Sequence, residues 1–193
     1  MSPFRDYDYI RKDQTQWWLA EHEKARPTTD TDPGVPGIAY YHIPQDENLK
    51  LYNERSNYTN KFFKLEDFAD NGNEEYESDF LDMAKDKNLR GAFMGHAHNV
   101  DWTVKWGDLV VGLGVKTGIE LYYAHIDVNS NDPLMQEGLQ SIADAGITEN
   151  FDLIGASLVT ITDAENNIEG KFDLEHLYLN ERKSGDFVKW VKF

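Results

Sequence analysis

The stretch RGAFMGHAHNVDW, residues 90–102, runs as a short apolar strand and then stops in two histidines, His96 and His98, with only Ala97 between them. Gly95 and Ala97 leave room around both imidazoles. In an extended segment residues i and i+2 point the same way, so His96 and His98 are expected to share one site. A second short apolar strand, GIAYYHIP (residues 37–44), also ends in a histidine, His42. Pro44 closes it, because proline cannot continue a central ladder. In open α/β sheets ligands gather at the carboxyl ends of the strands. If the two strands are parallel neighbours, His42, His96 and His98 meet at one sheet edge. Three neutral imidazoles suit a zinc ion that keeps a water in its fourth position. Imidazole suits iron and other transition ions as well.

Around these strands the periodicity alternates between helical and extended. YIRKDQTQWWLAEHEKA places Ile10, Trp17, Trp18 and Ala25 at helical spacing, and RPTTDTDPGVPG after it reads as a loop. Gln45 to Glu75 is long and irregular, and a stretch of that length is either functional or carries structure of its own. Tyr76, Phe80, Met83 and Ala84 suggest a second amphipathic helix. DWTVKW and DLVVGLGV, separated by Gly107-Asp108, form a hairpin pattern, and ELYYAHIDV reads as another strand. Asp132-Pro133 begins a helix whose apolar face is Met135, Leu139, Ile142 and Ala143, with Gly146 as its stop. DLIGASLVTI, GKFDLEHLYLN and GDFVKWVKF alternate as strands. The expected fold class is α/β, a mixed sheet with flanking helices. No repeat or linker divides the chain, so residues 1–193 are expected to form a single domain.

Composition narrows the function. A hydrophobic content of 40% in 193 residues suffices for a core. A net charge of −16 argues against a nucleic-acid backbone as partner. No run of residues approaches a membrane-spanning length and none forms a signal-peptide core, so no membrane partner is expected. Cysteine is absent, which removes thiolate metal sites and cysteine nucleophiles and leaves the compartment open. An acidic chain still binds an anionic substrate if a bound cation supplies the local positive charge. There is no phosphate-cradling glycine loop, and Ser157 does not sit in a nucleophile elbow.

The other three histidines carry no site. His22 lies among charges on a helix and is expected to be solvated, whereas His125 and His176 sit within strands as structural histidines. The loop carboxylates Asp46, Glu47, Glu74, Glu75 and Asp101 fall in no ligand pattern and are expected to be solvated.

In chain order, QTQWWL, YYHIP, GAFMGHAHN and GLGVKTG resemble the C-terminal half of the calcineurin-like metallophosphoesterases, in particular their purple-acid-phosphatase-like branch. There a Gln-x-x-Trp-Leu-type helix precedes a strand ending in His-x-Pro, and a Gly-His-x-His motif follows. The resemblance spans about Gln14 to Gly118. It implies half of a four-layer αββα sandwich and a dinuclear site of divalent or trivalent transition metal ions (zinc, iron or manganese). His42 and His96 would match ligands of one metal and His98 a ligand of the other. Ala97 stands where the family often has Asp or Thr. The implied activity is hydrolysis of a phosphate-ester substrate, in which metals polarise the ester and activate water. The family's early motifs, Asp-x-His, Gly-Asp-x-x-Asp and Gly-Asn-His, belong upstream of Gln14 and have no counterpart here. The expectation is therefore a partial domain that works with an N-terminal half chain, or that pairs as a homodimer through the sheet face such a half would cover. The alternative is a non-catalytic, degenerate metal-binding or partner-binding module. No catalytic proton-transfer residue can be named from the sequence.

Overall fold

The computed structural model describes residues 9–32, 34–54, 57–64, 79–98, 100–114, 129, 131–144, 155–162, 171–180 and 186–192. It is a mixed α/β structure. The elements in chain order are α1 (Lys12–Ala25), β1 (Gly37–Tyr40), α2 (Asp46–Asn53), β2 (Thr59–Lys64), α3 (Phe80–Lys85), β3 (Leu89–Met94), β4 (Val100–Trp106), β5 (Leu109–Leu113), α4 (Pro133–Asp144), β6 (Gly155–Thr162), β7 (Lys171–Asn180) and β8 (Asp186–Lys192). Five strands form one sheet in the order β1-β3-β5-β4-β2, and β6-β7-β8 form a separate antiparallel sheet.

In the larger sheet β1, β3 and β5 run parallel, while β4 is antiparallel to both β5 and β2. The β4–β5 hairpin turns at Gly107, whose φ of 63° is the left-handed conformation that a tight turn requires. β5 therefore slides between β3 and β4 and bonds to both. Being central and covered on both faces, it is buried at all five positions, which explains its unbroken apolar run.

Register decides which residues share a face. Ala92, Val111 and Val104 lie abreast, and so do Met94, Leu113 and Trp102. These six are buried in one cluster with Leu51 and Tyr52 of α2 and Phe80, Leu81 and Ala84 of α3. The opposite face carries Tyr40, Gly91, Phe93 and Gly112. Phe93 lies across the two glycines: a Cβ on Gly91 would stand 2.7 Å from its ring, and one on Gly112 3.5 Å away. On this face Tyr40 is 69% exposed and its ring lies 5.7 Å from that of Phe93.

Three expectations about the helices need correction. The buried stripe of α1 is Thr15, Trp18 and His22, not the side marked by Trp17 and Ala25; Trp17 is 65% exposed. His22 is not solvated. It is 6% exposed, stacks on Trp18 at 5.2 Å, and its Nε2 lies 3.0 Å from the Val35 carbonyl oxygen. A polar ring counts as core when the fold supplies a backbone partner, and sequence spacing does not report that. In α3 the buried residues are Phe80, Leu81 and Ala84, and Met83 faces out. The irregular stretch from Gln45 holds α2 and β2. ELYYAHIDV, Tyr76 and Gly146 lie outside the described residues, as do the side chains of Met135 and Ile142; Leu139 is half-buried and Ala143 exposed.

Candidate metal site at the carboxyl edge of the sheet

β1 and β3 are adjacent and parallel, so the residues that follow them emerge at the same edge. Pairing continues past the strands. The Tyr41 N–H donates to the Phe93 carbonyl (3.1 Å), and the Gly95 N–H donates to the His42 carbonyl (3.1 Å). These bonds bring His42 beside Gly95, where a Cβ would lie 3.6 Å from His42 Nδ1. The small residue at 95 lets the imidazole lie close to the neighbouring chain.

Buried amide side chains hold the turn after His42. Asn48, fully buried, accepts the Gln45 N–H on Oδ1 at 2.8 Å. The Gln45 side chain donates to the Ile43 carbonyl at 2.9 Å and accepts the Ile10 N–H at 2.8 Å. The entry to α1, the histidine turn and the start of α2 are thereby tied together. Both ends of the Gln45 amide are satisfied inside the protein, which is the condition for burying it at low cost; Asn48 Nδ2 is buried with no hydrogen-bond partner among the described residues.

On the β3 side the chain turns sharply. His96 adopts φ 69°, a left-handed conformation uncommon outside glycine, and the Ala97 N–H donates to the Gly95 carbonyl at 2.9 Å. The outcome is a close imidazole pair. His96 Nδ1 lies 3.3 Å from His42 Nε2, and the rings meet edge-to-face with centroids 5.1 Å apart. The same turn breaks the extended geometry from which a common direction for His96 and His98 was expected. His98 follows the buried Ala97 and is half-buried. Among the described residues, no group of three or more histidine, aspartate or glutamate side chains is gathered closely enough to hold a metal ion.

The pair has the dimensions of two ligands. Two nitrogens bound at ~2.0–2.1 Å along tetrahedral directions stand about 3.3–3.4 Å apart, which is the separation seen here. The donor set fits two positions of a metal site and leaves the others to be filled.

Of the loop carboxylates, Glu47 is engaged elsewhere. Its Oε2 accepts the Leu81 N–H and its Oε1 the Asp82 N–H, each at 2.9 Å. Burial pushes its carboxyl up to about 7; the two amides oppose that shift, and Asp79 and Asp82 add to it. The expectation that it is solvated is thus wrong. No sequence signal marks it, because its partners lie 34 and 35 residues away. Asp46 opens α2 and is half-buried; Glu74, Glu75, His125 and the side chains of Asp101 and His176 lie outside the described residues.

No protein-family model, no curated protein and no solved structure matches this chain, so the site is read from its own geometry.

Proposed function

We propose that this chain is the C-terminal half of a metal-dependent phosphoesterase of the calcineurin-like kind. His42 and His96 would bind one zinc, iron or manganese ion, and His98 would serve a second. The observation that carries the reading is the pair of imidazole nitrogens 3.3 Å apart at the carboxyl edge of parallel strands. Bound there, the metal would supply Lewis acidity toward a phosphate ester. The protein's part is positional: the Gln45–Asn48 turn fixes His42, and the left-handed turn at His96 aims its Nδ1 across the edge. The ligands that two imidazoles leave unfilled would come from an N-terminal half chain. The isolated chain is accordingly expected to hydrolyse aryl phosphates poorly.

A second reading, a non-catalytic module that binds a metal or a partner, is favoured by the absence of a three-ligand group among the described residues. Tyr40, exposed, and Ile38 and Phe93, half-buried, lie together on the face of the sheet opposite the core cluster and would serve a partner in either case. If the partner is a second copy, the charge of −16 opposes pairing at low salt. Dimerisation should then strengthen as the Debye length falls from ~30 Å at 0.01 M to ~8 Å at 0.15 M salt. Sedimentation at both ionic strengths tests this, and a monomer throughout would remove the homodimer.

Zinc-dependent thermal unfolding tests the site. Free zinc at about 100 times its dissociation constant stabilises a one-site protein by ~2.7 kcal/mol. In a chain of this length that raises Tm by roughly 5–10 °C. His42→Ala and His96→Ala should each abolish most of the rise. Loss of the rise in His98→Ala as well would make His98 a third ligand of the same ion. A rise that survives both His42→Ala and His96→Ala would sink the assignment.

A further inference from the structure

The Glu47 carboxylate joins two elements that flank the histidine edge. α2, which carries it, starts four residues after His42, and α3, whose amides it accepts, leads into β3 and His96. Both of its oxygens are committed, and the charged groups around it are unbalanced. Asp79 and Asp82 raise the cost of a negative charge at this position. Lys85 is the cation on the same helix; it is bonded to the Asp82 carboxylate at 2.6 Å and also lies near Asp86. The site therefore holds a half-buried acid among acids, and Lys85, which feels the charge of Glu47, is already bonded to Asp82.

We propose that Glu47 is a proton-operated latch that docks α2 onto the start of α3. It is independent of the metal reading, although it ties together the segments that bear the two histidines. In the protonated state the carboxyl still offers a carbonyl oxygen to one amide and no longer places a charge beside Asp79 and Asp82. In the ionised state both amides are accepted, at the cost of a partly desolvated charge. Burial, the larger influence, sets the sign. The folded protein binds this proton more tightly than the unfolded chain does, with a pKa raised to about 7 from an ordinary 4.5. The stabilisation is thus fully present below about 4.5 and is lost as the pH rises through about 7. The junction should be tightest in mild acid and loosest in mild alkali.

Amide hydrogen exchange at Leu81 and Asp82, corrected for intrinsic base catalysis, reads the latch directly. Protection of whichever of the two amides stays bonded to the protonated carboxyl should fall on the order of tenfold between pH 5.5 and 7.5. A carboxyl-carbon NMR titration of Glu47 should show a midpoint near neutrality. In Glu47→Gln, neutral at every pH, protection should be flat and close to the level the parent shows in mild acid. Asp79→Asn keeps the latch bonds and removes one neighbouring charge, so its step should move to lower pH. The Asp79 variant keeps the test alive should the Gln variant fold poorly. A Glu47 midpoint in the ordinary carboxylate range, or protection of Leu81 and Asp82 that does not change with pH, would overturn the proposal.

Discussion

Gly34→Ala is expected to destabilise the protein by about 3 kcal/mol or more, the sum of a left-handed backbone penalty of ~1–2 kcal/mol and an overpacking cost of ~1–3 kcal/mol. Gly34 has φ 90°, and a Cβ there would lie 2.3 Å from His22 Cε1. The imidazole cannot easily give way. It is stacked on Trp18 and held to the Val35 carbonyl. The glycine cannot move either: its N–H donates to Asp32 Oδ1 at 2.9 Å, and its carbonyl accepts from Arg26 Nη2 and, at 2.8 Å, from Asn88 Nδ2. These bonds hold the segment ahead of β1 against the residue ahead of β3, at the end of the sheet away from the histidines. Thermal unfolding should show a Tm lower by roughly 6–12 °C. The internal control is Gly107→Ala, which shares a positive φ but meets no atom within 4 Å. That change should cost only ~1–2 kcal/mol. Shortening His22 to Ala in the Gly34→Ala background should recover part of the loss, as contacting residues couple. Equal effects at 34 and 107 would mean that the clash with His22 contributes nothing.

What the sequence reveals and conceals follows from the range of the interactions. The strand that ends in His96, the hairpin at Gly107, the helix beginning at Pro133 and the three C-terminal strands are local patterns, and the structure has each of them. The parallel pairing of β1 with β3 enters the sequence reading only as a condition for the histidines to meet, and the structure has it. The pairing of β2 with β4 links residues some forty apart through a stretch with little period, so β2 reads as irregular loop. His22 reads as a solvated residue in the sequence because its partner, the Val35 carbonyl, is a backbone atom that the sequence does not display. The expected convergence of His96 and His98 assumed an extended chain through 98, whereas the ladder ends at Met94 and His96 turns left-handed. The His42–His96 pair survives that change because the turn carries His96 toward the neighbouring strand.

Trp102→Ala should be the most damaging single truncation of a described core side chain, costing ~3–5 kcal/mol as buried tryptophan truncations do. Trp102 is fully buried in β4, and its ring meets that of Tyr52 edge-to-face with centroids 5.9 Å apart. In register it stands beside Leu113, which stands beside Met94, the last residue of β3 before Gly95 and His96. The indole therefore fills the layer directly beneath the histidine edge and fixes α2 against it. Removing it leaves a void that close-packed neighbours fill only in part. Tm should fall by roughly 6–20 °C. Trp102→Phe keeps an aromatic ring against Tyr52 and should lose less. The position of Trp102 also separates packing from ligation. In Trp102→Phe the zinc-induced rise in Tm should persist on the lowered baseline, because the bonds from the Gly95 N–H to the His42 carbonyl and from the Ala97 N–H to the Gly95 carbonyl, which shape the histidine edge, are kept. In His96→Ala the baseline should change little while the zinc-induced rise disappears. A Trp102→Ala chain that melts within about 2 °C of the parent would show that this layer does not hold the sheet to its helices, and that some other contact positions the histidine edge.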